Sequence, residues 1–428
     1  MMAAACNREV ELLDTVPADV DALARLDINR IASECGQSLP PAFAEKISRF
    51  KGAVDLSEIF MIVDAGGRDI WLTGTVTDED SLKIALGEPS AKDSDGFTAY
   101  RSANSLKAYT RNRQVWIAAG SSMSSPAAMV KKATDPDGDG SILKVPGVGD
   151  FLRRRQMLAG LAVAGKNFTD QWQCIEMDID NNALIFDHFR VNDNGMVAPT
   201  AGLEPINTRF LNYAPKPAAL LMAAGIDRDN VDWDAIGKAV GMIGGFTYYG
   251  FYEAILPYLK DIDGTISVVA APTGENLLTD LDEGAVRFII MAQMPAAAAD
   301  KAMQTVSSYV GKLGLPVSKA ADGSLSVGFG SYRFHAAYID GCLAISNFMP
   351  SKSTPEGPLV DMIKGKLGAA VLTIDRSTLE EFIPSAGYGI TVAAEVGNTH
   401  NMVTLRLTEC GDSPILPTLI RTFSKIAE

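Results

Sequence analysis

The chain has 428 residues, of which 47% are hydrophobic and 21% charged, and its formal net charge is −14. A chain of this length is expected to form two or three domains, each with a substantial apolar core. Its acidity argues against nucleic acid as a partner, because phosphate binding requires concentrated Lys and Arg, and against electrostatic docking on anionic lipid. No run of about 18 apolar residues is present, so the sequence predicts no membrane-spanning segment.

The first six residues, MMAAAC, have three alanines before Cys6. Small residues before a cysteine are typical of the end of a bacterial lipoprotein signal, where the cysteine is lipidated after cleavage. The polar segment 7–11 that follows is typical of a tether, and the missing charged and apolar regions of a signal lead us to expect a truncated start. We therefore predict lipidation at Cys6. The alternative is an ordinary N-terminus with a chance cysteine.

The first predicted elements are strands and a helix. An opening strand follows Val16-Pro17, and alternating apolar residues predict another strand over 69–77. Asp78 is suited to cap the helix that comes next. The first half therefore begins with strands separated by helical segments.

Three further segments complete the first half. Residues 96–132 predict two strands joined by a turn at 111–113 and followed by a helix. Residues 157–164 predict a buried strand. Residues 173–192 predict a hairpin that turns at Asn181-Asn182.

The second half repeats this pattern, which is the strongest internal signal in the sequence. Residues 328–364 resemble 96–132: both begin Gly-Phe, two residues, Tyr-Arg, and both continue through a turn into an apolar strand and a helix. The turn of the second copy is Asp340-Gly341, a strong hairpin signal. The other correspondences pair 69–77 with 285–293, 157–164 with 369–374, 173–192 with 390–407 and 16–28 with 214–226. After 285–293, a helix is predicted to start at Pro295 and to end before Gly314 and Pro316.

Strands in antiparallel pairs with helices between them indicate an α+β fold. We expect two similar tandem halves, each an antiparallel sheet with helices packed on one face. The predicted divisions are 1–13 for the signal remnant and tether, 14–205 for the first repeat and 206–428 for the second. The alternative is a coincidental likeness between two α+β segments of similar composition.

Two segments resemble ligand-binding loops. Residues 160–167 (GLAVAGKN) nearly match a phosphate-binding loop, but Asn167 replaces the required hydroxyl, and the apolar residues indicate a strand. Residues 135–141 (DPDGDGS) match the front of a calcium loop, but Pro146 stands where a bidentate Glu is needed. For the segment Asp135 to Asp139, a solvated turn and a calcium site completed from elsewhere both stay open.

The remaining candidates indicate no reactive centre. His188, His335 and His400 lie in or beside predicted hairpins, without metal-ligand spacing or a nucleophile elbow. The aromatic segment 246–252 is interpreted as packing between the halves, with a contact surface as the alternative. The tryptophans in strand patterns are expected in the core: Trp71, Trp116 and Trp172. We therefore predict no catalytic residue, no metal site and no cofactor.

The cysteines beyond Cys6 form no CxxC motif and no Cys/His cluster: Cys35, Cys174, Cys342 and Cys410. Cys174 and Cys342 lie in apolar alternating runs, which indicates buried free thiols. Their spacing predicts no disulfide framework, although it leaves a single bridge open.

The AAAC sequence ending at Cys6, the short polar spacer and the opening VPADVDALARLDINRIASECG together resemble Bacteroidetes cell-envelope lipoprotein families of unknown function. The resemblance covers most of the chain in layout. It implies anchoring to the bacterial cell envelope, outside the cytoplasm, and a structural or binding role. It transfers no catalytic residues.

These observations favour an envelope lipoprotein that acts as a binding or scaffolding module, more than they favour an enzyme. Its partner would be an unidentified ligand or envelope protein, and its membrane contact only the lipid at Cys6. A cleft between related halves is the default ligand site. The alternatives are a hydrolase with carboxylate chemistry in that cleft and a calcium-dependent adhesion protein.

Overall fold

The computed structural model describes residues 11–64, 69–93, 95–101, 107–119, 126–135, 140–165, 171–234, 256–273, 286–330, 332–384 and 386–427. The chain divides into two compact units: unit 1 is Met1–Ala198 with Asp412–Glu428, and unit 2 is Pro199–Gly411. Strands outnumber helices in the described residues, and paired strands are antiparallel. The α+β class with antiparallel sheets is therefore confirmed. No helix in these ranges has both the length and the apolar character needed to cross a membrane.

Unit 1 contains ten strands in its described residues. The strands are β1 (Ala22–Leu26), β2 (Ile59–Val63), β3 (Ile70–Thr75), β4 (Pro89–Lys92), β5 (Thr98–Arg101), β6 (Lys107–Arg111), β7 (Gln114–Ala118), β8 (Ala159–Val163), β9 (Trp172–Asp180) and β10 (Ala183–Val191). The helices are α1 (Ile28–Cys35), α2 (Pro41–Phe50), α3 (Glu79–Leu86), α4 (Ala127–Thr134), α5 (Val148–Leu152) and the C-terminal helix Ile415–Ala427, with 3-10 turns at Leu12–Thr15, Gly36–Ser38 and Ile142–Lys144.

The sheet of unit 1 has the spatial order β4-β5-β6-β7-β3-β2-β1-β8-β9-β10. The first strand of the chain is therefore an interior strand, paired with β2 on one side and β8 on the other. The main core lies on the face that carries Leu23, Ile62 and Trp116, where α4, α5 and the first 3-10 turn pack. A second cluster lies on the opposite face, between Val115 of β7 and Leu82 of α3.

Unit 2 contains eleven strands in its described residues. The strands are β11 (Leu203–Glu204), β12 (Leu220–Ile226), β13 (Gly264–Pro272), β14 (Val286–Gln293), β15 (Val317–Lys319), β16 (Leu325–Phe329), β17 (Tyr332–Ile339), β18 (Cys342–Ser346), β19 (Gly368–Ile374), β20 (Gly389–Val396) and β21 (His400–Thr408). The helices are α6 (Ala296–Lys312), α7 (Gly357–Ile363) and α8 (Arg376–Phe382), with a 3-10 helix at Thr208–Tyr213. The C-terminal helix Ile415–Ala427 of unit 1 is α9 in chain order.

The sheet of unit 2 has the order β15-β16-β17-β18-β14-β13-β12-β19-β20-β21, and the short β11 pairs with the end of β12. One core contains Leu221, Val269 and Ala344, against which α7 and the 3-10 helix pack. A smaller cluster joins Ala299 of α6 to Ala292 of β14. Leu343 packs on that cluster, and its neighbour Ala344 belongs to the other, so the two clusters lie on opposite faces.

Several local predictions are confirmed. Asp78 caps α3, its carboxylate accepting a hydrogen bond from the Ser81 N–H at 2.7 Å. Pro295 precedes α6, and Gly314 after it has a positive φ of 72°. The hairpin turns lie at the expected residues: Asn112-Arg113, Asn181-Asn182 and Asp340-Gly341.

The prediction that helices pack on only one face of each sheet is wrong. In unit 1, α4 and α5 pack on the face of Trp116, whereas α3 packs on the face of its neighbour Val115. Adjacent strand residues point to opposite sides of a sheet, so helical segments cover both faces. A ten-strand sheet with apolar residues on both faces needs cover on each side.

The division of the chain differs from the expected boundary near residue 205. It falls between Ala198 and Pro199, and the last segment, Asp412–Glu428, belongs to unit 1. The reason is packing: α9 contacts α1 and the 3-10 turn Gly36–Ser38, and the Ile415 N–H donates to the Asn181 carbonyl at 3.2 Å.

The shared Gly-Phe and Tyr-Arg motif lies on non-equivalent strands. Tyr100 and Arg101 end β5, the second strand from its sheet edge, whereas Arg333 lies in β17, the third from its edge. The shared motif therefore does not mark the same position in the two sheets.

Candidate functional site

Unit 1 contains an apolar cavity of about 590 Å³ between its sheet and α2. This volume falls within the range of about 300–1,000 Å³ that is common for small-molecule sites. The floor consists of side chains from neighbouring strands: Leu26 of β1, Ile59 of β2, Leu72 of β3, and Val115 and Ile117 of β7. The cavity thus lies within a single unit.

Strand pairing explains why these side chains share a face. Leu26 is opposite Ile59, and Leu72 is opposite Ile117. Residues directly opposite each other in an antiparallel pair point to the same side of the sheet. The intervening residues, such as Trp71 and Trp116, point to the main core instead and are buried there.

The roof is α2, which begins with Pro41 at its first position. Phe43, Ile47 and Phe50 line the cavity at a spacing of four and three residues, which puts them on one helix face. Ile47 and Phe50 are half-buried and pack on the unit 1 cluster that contains Val115 and Leu82, whereas Phe43 is 61% exposed. No residue of α2 is fully buried. Its apolar stripe therefore packs only in part on this cluster and also lines the cavity.

The only ionisable side chains among the described lining residues belong to α2. They are Lys46 and Arg49, and both are exposed. Arg49 pairs with Glu45 at 3.4 Å on the same helix, and the Lys46 ammonium lies 5.9 Å from the centre of the Phe43 ring. The cavity thus combines an apolar interior with two cations on its roof.

Two other cavities lie in the described residues. One, of about 360 Å³, lies beside Phe382 of α8 and has an apolar lining without an ionisable group. The other, of about 630 Å³, lies between α6 and the turn at 320–324, and its lining includes Asp300, Lys319 and Asp322. The cavity of unit 1 is therefore the candidate site, because it unites size, apolar lining and a charged rim.

A row of buried polar groups crosses the opposite face of the unit 1 sheet. Arg25, Thr73 and Trp116 lie on neighbouring positions of β1, β3 and β7, in register through Phe60 of β2. Arg25 is 3% exposed, and its Nε and Nη1 atoms, the Thr73 hydroxyl and the Trp116 indole N–H have no hydrogen-bond partner among the described residues. Such buried donors lower stability.

His188 and His335 lie in strands, as the sequence predicts, whereas His400, expected at a turn, is the first residue of a strand. His188 of β10 is hydrogen-bonded through Nε2 to the Gln173 side chain at 2.8 Å, and His400 begins β21. Burial and then the nearby Arg190 lower the pKa of His188. Neutral imidazole is thereby favoured at this position.

Ser326 and His335 form the pair closest to a catalytic dyad. The Ser326 hydroxyl is 2.9 Å from His335 Nδ1, and the two residues are directly opposite on β16 and β17. The pKa of His335 is lowered, first by burial and then by Arg333, and no carboxylate contributes to that shift. A working serine–histidine pair needs a third group to orient the imidazole, so this contact is better read as a cross-strand hydrogen bond.

The carboxylates with perturbed pKa values in the described residues are Asp78, Asp322, Asp340, Asp375 and Glu380. In each case side-chain hydrogen bonds are the largest cause, and they lower the pKa. A general acid at neutral pH requires a raised pKa. These carboxylates do not supply one.

The cysteines are free thiols in the described residues, where Cys35 and Cys174 are buried and Cys342 and Cys410 are half-buried. Burial raises the pKa of Cys174 to about 12. Cys342, predicted to be buried, is half-buried because β18 carries it beside the exposed turn at Asp340. No group of three or more metal-ligating side chains occurs in the part of the chain that the structure describes.

Other sequence predictions fall on residues outside the described ranges: lipidation at Cys6, the loop 136–139 and the aromatic segment 246–252. Of the phosphate-loop-like segment, Ala159–Val163 forms β8 and pairs on both sides, so its N–H groups serve the sheet. This agrees with the strand predicted there.

Comparison with known proteins gives no family. No protein-family model matches the chain. No curated protein matches it either. A solved structure titled "Structure of crystal form IV of TP0453" aligns with a TM-score of 0.28 and 12% sequence identity, covering 42% of this chain and 81% of that chain.

Sequence reasoning missed the cavity residues. Leu26, Leu72 and Ile117 follow the same alternation as core residues, so nothing in their pattern distinguishes a cavity from a packed interior. The available signal was α2 itself, where Phe43, Lys46, Ile47 and Phe50 combine an apolar stripe with adjacent cations.

Proposed function

We propose that this protein binds a small apolar or amphiphilic molecule in the cavity of unit 1. The observation that carries the proposal is the cavity of about 590 Å³ beneath α2, with an apolar floor drawn from four strands. An amphipathic helix is stabilised by burying its apolar side. A bound apolar molecule would supply that burial for Phe43, which is otherwise mostly exposed.

The proposal is a form of the binding role expected from the sequence, but with a site inside one unit. The alternative, a hydrolase that uses carboxylates, has weaker support. The carboxylates with perturbed pKa values in the described residues have lowered values, which favours stable carboxylates over proton donors. The Ser326–His335 contact has no orienting acid among the groups that shift His335.

We further propose that the two units arose by duplication of one ten-strand module. The order β4-β5-β6-β7-β3-β2-β1-β8-β9-β10 in unit 1 has the same sequence of positions as β15-β16-β17-β18-β14-β13-β12-β19-β20-β21 in unit 2. The central strand of each is paired on both sides over five residues, Ala22–Leu26 of β1 and 220–224 of β12. These central strands define equivalent positions.

Side chains at equivalent positions support the duplication. Leu23 and Leu221 are both buried in the larger core of their unit. Glu176 of β9 and Glu395 of β20 occupy equivalent positions, and each pairs with a cation just before β8 or β19. Arg154 contacts Glu176 at 3.1 Å, and Lys366 pairs with Glu395.

The location of the protein is proposed from the sequence. The residues that end in Cys6 support lipid anchoring to a bacterial cell envelope, with no other membrane contact. In that setting a cavity for apolar molecules would meet lipids and other envelope components. Mass spectrometry of the protein expressed from its complete reading frame in a bacterial host tests this, since unmodified Cys6 in the mature chain would contradict it.

A neutral fluorescent probe tests the binding function. Nile red is expected to bind unit 1 and brighten, because an apolar cavity shields it from water. Leu72→Trp, which adds bulk to the cavity floor, is expected to weaken this binding about ten-fold or more. The matched control is Ile290→Trp, at the equivalent position of β14 in unit 2, which is expected to leave it unchanged.

Circular dichroism would verify that both variants are folded. Ile117→Phe, opposite Leu72, serves as a second and milder block of the same cavity. The proposal fails if the wild-type protein does not brighten the probe, or if folded Leu72→Trp and Ile117→Phe bind it as well as the wild type does.

A further inference from the structure

Two positively charged side chains line the roof of the cavity. Lys46 and Arg49 are on the same helix as the apolar stripe Phe43, Ile47 and Phe50, and all five line the cavity. Residues three and four apart are neighbours on a helix surface. The two cations therefore flank the apolar stripe on the side that faces the cavity.

Lys46 takes part in no salt bridge among the described residues. The Lys46 ammonium lies 5.9 Å from the centre of the Phe43 ring, and a cation–π contact at such an exposed site is weak. Arg49 does have a partner in Glu45, but the Glu45 side chain is 74% exposed, and such surface pairs contribute little. An anion at this position could therefore pair with Lys46, which has no salt bridge among the described residues, and would compete with Glu45 for Arg49.

The overall charge of the chain makes this local arrangement selective. A net charge of −14 repels anions from most of the surface. Two cations line the cavity, so this part of the surface can attract a negative charge. An apolar ligand without charge would gain nothing from them, whereas one with an anionic end would be oriented by them.

We infer that the ligand is a single-chain anionic amphiphile, with its hydrocarbon chain in the cavity and its head group at Lys46 and Arg49. This rests on the proposed binding function. The volume of about 590 Å³ suits one chain of a small ligand. A fatty carboxylate and an alkyl phosphate share this chemistry, and they differ in the head group presented to the two cations.

Displacement of Nile red by three ligands of equal chain length tests the inference: palmitate, hexadecyl phosphate and hexadecanol. The wild-type protein is expected to bind at least one anionic ligand more tightly than the neutral alcohol. Lys46→Gln is expected to weaken binding of that anion about five-fold and Lys46→Gln/Arg49→Gln about ten-fold or more. Neither variant is expected to change the affinity for hexadecanol.

Lys51→Gln is the matched control. This substitution removes the same charge as Lys46→Gln. Lys51 directly follows α2 but does not line the cavity, so no change in affinity is expected for any of the ligands. Raising the salt concentration should weaken anion binding by the wild type and have less effect on the double variant. Comparison of palmitate with hexadecyl phosphate identifies the preferred head group.

The outcomes separate the two proposals. If hexadecanol displaces the probe but the anions bind no better and Lys46→Gln changes nothing, the ligand class is wrong and the binding function stands. Equal losses in Lys46→Gln and Lys51→Gln would also overturn the head-group site. If the wild type binds neither the probe nor any of the ligands, the binding function fails first.

Discussion

Replacement of the buried Arg25 by methionine is expected to stabilise unit 1. The Arg25 side chain is 3% exposed, yet its interactions are poor: Nη2 donates to the Ser57 carbonyl at 3.4 Å, Nε lies 3.9 Å from the Glu58 carboxylate, and Nε and Nη1 lack hydrogen-bond partners. The equivalent residue of unit 2 is Ala223, which is buried in an apolar core. The sheet therefore does not require a cation at this position.

The magnitude follows from opposing contributions. Removal of the long hydrogen bond and the long ion pair costs about 1 kcal/mol each at most. Removal of the buried charge recovers several kcal/mol of desolvation, and comparable replacements by apolar residues stabilise proteins by up to about 4 kcal/mol. We expect Arg25→Met to raise the free energy of unfolding by about 2 kcal/mol, and the melting temperature by roughly 4–8 °C.

Urea unfolding monitored by tryptophan fluorescence measures this gain in stability, because three of the four tryptophans, Trp71, Trp116 and Trp172, belong to unit 1. Glu58→Gln is the partner variant: it is expected to destabilise the wild type by about 1 kcal/mol and to have little effect in the Arg25→Met background, since the charge it balances is then absent. A folded Arg25→Met that is less stable than the wild type by 1 kcal/mol or more would refute the reasoning.

Three further outcomes are expected. Asp375→Ala should lower stability by about 1 kcal/mol, because the Asp375 carboxylate caps α8 by accepting from the Thr378 N–H at 2.8 Å. Hydrogen bonds hold the folded pKa of Asp375 below its ordinary value of 3.8, so this contribution is present above about pH 4 and is lost as the pH falls through the lower, folded value. Cys174, whose pKa burial raises to about 12, should resist a thiol reagent in the native protein while half-buried Cys410 reacts. Gly225→Ala should destabilise unit 2 by about 2 kcal/mol or more, because a Cβ there would lie 2.0 Å from the backbone oxygen of Glu204.

Each of these has a clear contrary result. Asp375→Ala and the wild type would lose stability in parallel below pH 4 if the cap were unimportant, which urea titrations at several pH values would detect. Mass spectrometry after labelling would contradict the thiol prediction if Cys174 were modified as fast as Cys410. A Gly225→Ala protein with an unchanged urea midpoint would contradict the prediction, because it would mean that β11 can move away from the new methyl group without loss of stability.

The local elements could be predicted because their signals are local. Asp78 stands one residue before a helix and caps it, and Asn181 adopts a positive φ of 45° in its hairpin turn. The order in which strands pair has no such signal. That β1 lies between β2 and β8 depends on long-range pairing, because Ala22 is opposite Val63 on one side and Val163 on the other.

The candidate site could not be predicted for a different reason. Its floor consists of Leu26, Leu72 and Ile117, whose alternation is the same whether the space above them is filled or open. The difference lies in α2, where a helix with an apolar stripe remains without a fully buried residue. Only the distance between helix and sheet, which is a tertiary property, separates a binding cavity from a core.

The contact between α9 and α1 joins the end of the chain to its beginning within unit 1. During synthesis, unit 1 begins to form first, yet it stays incomplete until all of unit 2 has left the ribosome and Ile415 can be buried. Along the chain, unit 2 is inserted between the two segments of unit 1. Loss of the last seventeen residues should therefore weaken the unit that was made earliest and leave the later one intact.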